Sequence, residues 1–425
     1  MSTISILSDG GSMKAGILAI GTELLMGQTV NTNASYLSHA LNDLGVGVYY
    51  HYTIGDNPER IKSALIDLMT KCDLVITTGG LGPTLDDITK EMIAEVLGLE
   101  MVLDPHSLSR VKERFMLFNR IMPESNIRQS YFPEGAIILD NDQGTAPACI
   151  INCQKTDTKI IVLPGPPREL KHLFDKYVKT YLSDLNGLSM ASAYLSVYDL
   201  GESTAEELLM DLIVDQVNPT IATYAGDGKV LIRVTSSGYS EDENKRLVDE
   251  MVDVIKGRIG TYIVSDSGQD IDSVIFELLK AKGKTISFVE SCTGGKLVSA
   301  LVKYPGASDV VDSGLVTYSN ASKIREVNVL SETLQTYGAV SHQTCYEMVK
   351  GLVDKTGTNI GVSITGIAGP TGGTDEKPVG LVYIGIKIED EIYTFENRFT
   401  GNRDMIQTRT VIKALKLLYD LLIRM

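Results

Sequence analysis

The sequence is short of basic residues, histidines, cysteines and long apolar runs, and each shortage removes a class of function. Lys and Arg total 39 against 54 Asp and Glu, so the 425 residues carry a net charge of -15. A surface of that sign repels phosphate polymers and anionic bilayers, so neither nucleic acid nor membrane is expected as a partner. The five cysteines (Cys72, Cys149, Cys153, Cys292, Cys345) are odd in number and include no CxxC pair. That argues against a disulfide framework or thiolate zinc site and for reduced thiols in a cytoplasmic protein. No stretch approaches the ~18 uninterrupted apolar residues of a membrane span, and no basic n-region followed by a sustained apolar block and cleavage site opens the chain. Histidines number five, and only His342 falls in the last third.

What is present is ordinary globular composition, with 43% hydrophobic and 22% charged residues. At roughly 150 residues per domain the length gives two or three domains. The 12 residues before Met13 are polar and read as an alternative start, an expression remnant or a frayed tail.

From Ala15 short β-branched runs alternate with amphipathic stretches. AGILAIG (15–21) and DLVITTGG (73–80) read as buried strands, NTNASYLSHALNDLG (31–45) as a helix with an Asn cap, and a further helix is expected from about Asp86. This pattern predicts an α/β fold, multidomain, with two three-layer α/β/α domains (13–185 and 265–425) joined by a small α+β module (186–264). In the module, Asp227-Gly228 is the expected turn between two strands. Residues 186–260 hold 13 acidic and six basic residues, 6 - 13 = -7, which suits a spacer or dimerisation role better than contact with nucleic acid. SDSGQD (265–270) reads as a linker, followed by strands at 285–290, 313–319, 361–366 and 379–386, a last strand and a long helix.

The strongest chemical signal is Glu290-Ser291-Cys292-Thr293-Gly294-Gly295 at a strand-to-helix junction. A hydroxyl there, with two glycines allowing close approach and helix amides behind it, suits a nucleophile with an oxyanion site. Ser291 or Thr293 serves equally well as a simple helix cap. A serine nucleophile needs a base, and Lys323, which follows Tyr318-Ser319-Asn320 after the strand at 313–319, falls at the same sheet edge. Partial desolvation lowers a lysine pKa enough for that task, although most lysines are plain exposed helix residues. Two glycine-rich turns also follow strands: Thr365-Gly366 to Thr374, and Thr78-Gly79-Gly80-Leu81-Gly82-Pro83-Thr84 running into Asp86 and Asp87. Both offer backbone amides to phosphate, and neither is a P-loop or dinucleotide fingerprint. Asp86 and Asp87 are expected in the first helical turn, where they either complement the dipole or hold Mg²⁺ on a pyrophosphate together with Glu23.

AIGTELLMGQTVNTNASYLS, TTGGLGPTLDDITKE, FPEGA with NDQGTAPA, LPGPPREL, ESCTGG, VTYSNASK and SITGIAGPTGG appear in that order from about Met13. The chain thereby resembles the CinA family (competence/damage-inducible protein A), which joins a molybdopterin-binding-like domain, a short middle domain and a nicotinamide-nucleotide amidase domain. The resemblance implies hydrolysis of the carboxamide of nicotinamide mononucleotide to nicotinate mononucleotide and ammonia, without a cofactor, in pyridine nucleotide salvage. It gives Ser291 as nucleophile, Lys323 as base and Tyr318 as assistant. It places Ser308, Thr365 and an arginine, Arg403 or Arg409, among substrate and support residues. Amides around Gly294 and Gly295 are expected to hold the oxyanion, and the glycine turns with Arg403 the 5′-phosphate. For the amino-terminal domain the resemblance implies cleavage of ADP-ribose at its pyrophosphate. That reaction would use a divalent metal (Mg²⁺ or similar) and K⁺ as an optional second cation. TGGLGPTLDD (Gly79, Gly80, Gly82, Thr84), Asn31 and Gly144 to Pro147 with Thr145 would surround the phosphates there, and Asp86 or Asp87 with Glu23 would hold the metal. A homodimer is implied. The rival reading is a non-catalytic adaptor that binds a recombination protein.

Overall fold

The structure, a computed structural model, describes residues 13–425 except 118, 154–155, 187–189 and 227. Residues 1–12, the start of the middle module and Asp227 of the expected turn lie outside the described residues. The chain forms two compact units. One comprises residues up to Ala191 with Ser237–Asn244, the other Ser192–Ser236 with Lys245–Met425. Among the described residues no helix is long and apolar enough to cross a membrane.

The first unit is built on a six-stranded sheet in the order Gly47–Ile54, Lys14–Ile20, Leu74–Thr78, Lys159–Leu163, Ala148–Asn152 and Ile137–Leu139. The first four strands are parallel and the last two antiparallel. Leu74–Thr78 is buried along its whole length, as an apolar run covered on both faces requires. The period of two sends Ile17, Leu74 and Ile76 to one face, against Leu37, Leu41, Leu170 and Phe174. Leu18 and Val75 go to the other, against Ile61, Leu65, Leu68 and Ile93. The Asn31 cap is present, its Oδ1 accepting from the Ala34 N–H at 3.1 Å, and opens the helix Thr32–Asn42.

One expectation shifts here. The helix expected from about Asp86 begins at Thr89, so Asp86 and Asp87 lie before it and not in its first turn. The physical reason is local competition. Asp87 accepts from the Thr84 N–H at 3.0 Å and Asp86 from the Thr84 hydroxyl at 2.5 Å, closing a side-chain turn that postpones the helix.

The second unit carries a five-stranded sheet in the order Val311–Val316, Ile286–Glu290, Ile360–Gly366, Leu381–Ile388 and Glu391–Arg398. The first three strands are parallel, the rest antiparallel. One face packs on the helices Ile271–Ala281, Lys296–Val302 and Arg403–Leu422, the other on Asn320–Val327 and His342–Thr356. A four-stranded sheet (Thr220–Gly226, Lys229–Ser237, Met190–Val197, Ile263–Ser265) forms the middle module. Its last strand, Ile263–Ser265, ends where the expected linker begins and pairs antiparallel with Met190–Val197. The module is tied into this unit. The Ile271 N–H donates to the Tyr198 hydroxyl at 3.0 Å, and Lys413 pairs with Asp199 at 2.7 Å.

Candidate active site

Ser291 and Lys323 follow adjacent parallel strands of the second unit, Ser291 directly and Lys323 in the next helix. Glu290, the last residue of one, is in register with Val316, the last of the other, so the chain leaves both at the same sheet edge. Ser319 then starts the helix Asn320–Val327 with a capping box shared with Ser322. One turn later Lys323 points back into the protein. Its Nζ donates to the Ser291 Oγ at 3.0 Å and to the Thr317 carbonyl at 2.7 Å. Lys323 is 1% exposed, and among the described residues no carboxylate pairs with it. Burial therefore lowers its pKa from 10.5 to about 8, which gives an appreciable neutral fraction near physiological pH. Ser291 is itself buried, with its N–H on the Ile364 carbonyl at 3.0 Å. Neighbouring Cys292 is no rival nucleophile, because burial pushes its thiol up to about 12. His342 stands apart, its Nδ1 on the Thr394 hydroxyl at 2.9 Å and its ring against Tyr383.

The amides differ from expectation. The Gly295 N–H donates to the Glu290 carboxylate at 3.0 Å and the Gly294 N–H to the Ser291 carbonyl at 3.2 Å, so neither is open to an oxyanion. The cause is the left-handed backbone at Gly294 (φ 64°) and Gly295 (φ 99°), which folds the following amides back toward Glu290.

The remaining expected residues divide. Arg403 bridges the Tyr318 hydroxyl at 2.8 Å and the Gly369 carbonyl at 2.7 Å, linking the end of one strand to the glycine turn after another. Arg409 faces elsewhere, toward the Thr400 carbonyl and a groove shared with Asp199 and Lys413. Between the two arginines, Arg403 is the one beside the glycine turn. Tyr318 is exposed and meets Arg403, with no bond to Ser291 or Lys323. The Thr365 hydroxyl is taken by the Ala339 carbonyl at 2.6 Å, and Gly366 leaves no room for a side chain against Val382 and Leu381. Both shape the strand end. Thr293 is buried in the loop with its hydroxyl unpartnered. Ser308 does not join the site. It lies in the turn before Val311–Val316, at the opposite end of the sheet from Ser291, because that strand runs parallel to the one leading to the nucleophile. Two residues to which the sequence assigned no role belong here: Glu290, the first residue of the ESCTGG motif, and Gln407, whose Nε2 donates to the Cys292 carbonyl at 2.7 Å.

In the first unit Glu23, Gly79, Gly80, Gly82, Asp86, Asp87 and Thr145 line one cavity of about 380 Å³ at the carboxyl ends of the parallel strands. Ligands of open α/β sheets bind at that edge. Asn31 and Thr84 are not in its wall: Asn31 serves its helix cap, and Thr84 its bonds to the two aspartates. Asp56 and Glu169 add two further carboxylates to the wall, and no Lys, Arg or His is among the lining residues. Burial raises the pKa of Glu169, which accepts from the Asn141 amide at 2.6 Å. The oxygens suit a hard cation by chemistry. They do not converge, since among the described residues no three His, Cys, Asp or Glu side chains are grouped to hold a metal.

The chain is similar to known proteins over almost its whole length. Residues 16–184 match the probable molybdopterin binding domain, 192–265 the damage-inducible protein CinA KH domain and 268–422 the CinA C-terminal domain. A putative competence-damage inducible protein of Acetivibrio thermocellus is 46% identical over 95% of this chain and 97% of its own. The chain belongs to the CinA family. A CinA-like protein of Dictyoglomus thermophilum is 46% identical over 96% of this chain and 98% of its own. Among solved structures, competence/damage inducible protein CihA from Agrobacterium tumefaciens is 41% identical, covering 36% of this chain and 93% of its own, with a TM-score of 0.35. Ser291, Lys323 and Arg403 all fall within the part that matches the CinA C-terminal domain.

Proposed function

We propose that the second unit hydrolyses the carboxamide of nicotinamide mononucleotide to nicotinate mononucleotide and ammonia. The observation that carries this reading is the buried Lys323 amine, paired with no carboxylate among the described residues, 3.0 Å from the Ser291 hydroxyl. Neutral Lys323 takes the Ser291 proton as Oγ attacks the amide carbon. The C–N bond then breaks and ammonia departs with that proton, leaving an acyl-enzyme. Water, deprotonated by the same lysine, attacks the acyl carbon, nicotinate mononucleotide is released and Ser291 recovers its proton. The amides of Cys292 and Thr293, which have no acceptor among the described residues, are the oxyanion donors in this reading. Arg403 receives the 5′-phosphate.

The relatives' names refer to competence and damage, and an adaptor without catalysis has no use for an uncompensated buried lysine against a hydroxyl. Incubation with nicotinamide mononucleotide and measurement of ammonia tests the proposal. Ser291→Ala should release none while unfolding at the wild-type temperature; ammonia release by that variant would overturn it.

A second reading attaches to the first unit: binding of ADP-ribose for cleavage at its pyrophosphate. The carboxylate-lined cavity without a basic residue favours it only in a cation-dependent form, because a diphosphate facing Glu23, Asp56, Asp86, Asp87 and Glu169 is repelled unless cations accompany it. Calorimetry with ADP-ribose should show binding with Mg²⁺, with K⁺ varied separately, and none in chelator; equal binding in chelator would dismiss the reading.

A further inference from the structure

Glu290 ends a strand whose every residue is buried, and it is itself 1% exposed. An ionised carboxylate in such a place demands compensation. Among the described residues no lysine or arginine pairs with it. Its partners are three backbone amides instead. Oε2 accepts from Gly295 at 3.0 Å and Leu297 at 3.1 Å, and Oε1 accepts from Val298 at 2.9 Å. These donors straddle the start of the helix Lys296–Val302, which has no side-chain cap of its own.

The chain between the carboxylate and those amides is the nucleophile loop. It leaves the strand at Ser291, turns through the left-handed Gly294 and Gly295, and returns to the side chain of the residue that precedes the nucleophile. The loop is thus closed into a ring by Glu290. Its outer rim is pinned separately by Gln407 on the Cys292 carbonyl, and its base by the Ser291 N–H on Ile364. By engaging the amides of 295, 297 and 298, Glu290 leaves those of Cys292 and Thr293 as the loop's donors without an internal acceptor.

We infer that Glu290 is the positioning residue of the Ser291 loop: its carboxylate fixes the nucleophile against Lys323 and selects which amides face the reacting oxygen. This inference rests on the amidase reading for its catalytic consequence, and on the hydrogen bonds alone for its structural one. Glutamine is nearly isosteric but replaces one oxygen by an NH₂, which must then face an N–H donor with another donor. Aspartate keeps both acceptors on a shorter arm.

The test compares wild type, Glu290→Gln and Glu290→Asp in the full chain. Three quantities are read: kcat and KM for nicotinamide mononucleotide, the rate at which a fluorophosphonate phosphonylates Ser291 with loss of fluoride, and amide exchange across residues 291–298. We expect Glu290→Gln to lose at least about tenfold in kcat and in phosphonylation rate, with KM within about threefold of wild type. Exchange should accelerate at 295, 297 and 298, and Glu290→Asp should fall between the two. A merely structural role would lower the unfolding temperature and leave both rates of the folded enzyme unchanged, and that result overturns the inference. So does unchanged exchange. If Glu290→Gln does not fold, Glu290→Asp carries the same comparison against wild type. If wild type releases no ammonia and resists the reagent, the amidase reading falls, while the exchange data still decide whether Glu290 holds the loop.

Discussion

Replacing Lys323 by methionine perturbs chemistry and stability together, and the two effects carry opposite pH signatures. Burial lowers the Lys323 pKa from 10.5 to about 8. About one tenth of the amine is then neutral at pH 7 and about nine tenths at pH 9. If the neutral amine is the base, wild-type kcat/KM rises roughly tenfold across that interval and levels off above about pH 8. Lys323→Met should lose at least about 10²-fold in rate, and any residue of activity should lack the inflection. For stability, the unfolded chain binds this proton up to pH 10.5 and the folded chain only up to about 8. The unfolded state therefore holds more protons in between, and stability climbs with pH through that window by at most about 3 kcal/mol. Methionine abolishes this climb. At pH 7 it relieves the cost of burying the charge, but it leaves the Thr317 carbonyl without its lysine donor, a loss of about 1–3 kcal/mol, so the net change there is small. Lys90 in the first unit supplies the control. It is buried, donates to the Gln129 carbonyl at 2.8 Å, and its pKa is likewise lowered to about 8 by burial. Lys90→Met should flatten part of the stability climb without touching the rate profile. Urea unfolding at pH 7, 8, 9 and 10, beside ammonia release at the same values, makes the comparison. A wild-type rate that is flat from pH 7 to 9, or a methionine variant above about one tenth of wild-type activity, would refute the assignment.

Arg403→Ala should raise KM for nicotinamide mononucleotide by about tenfold or more, because a guanidinium that meets a phosphate contributes a charge-assisted pair. Arg409→Ala, whose arginine faces the Thr400 carbonyl, should leave KM unchanged; steady-state kinetics of the two variants separate them. Gly79→Ala should lower the urea midpoint of the first unit by the equivalent of at least about 2 kcal/mol, since the added carbon would lie 2.0 Å from the Ile20 carbonyl at a φ of 105°. An unchanged midpoint would show that the glycine turn yields more readily than this geometry implies.

The meeting of Ser291 and Lys323 was legible in the sequence because it depends on topology, and topology follows from pattern. Two apolar strands ending in glycine or polar turns, each followed by a helix, put their exits on one edge of a parallel sheet. What the sequence left unread depends on which polar group captures which amide. Asp86 and Asp87 look like first-turn carboxylates by composition, yet a threonine two and three positions earlier captures both and the helix starts later. Gly294 and Gly295 look like open amides, yet a glutamate at the end of the preceding strand claims one of them. A usable signal existed for that second case. Ile286-Ser287-Phe288-Val289-Glu290 is a wholly buried strand, and a carboxylate closing such a run must find donors nearby. The nearest unsatisfied donors are the first amides of the next helix, which lie only as far as two glycines allow the chain to turn. Reading buried charges for their missing partners, as well as motifs for their nucleophiles, shows why the Gly295 amide is engaged by Glu290.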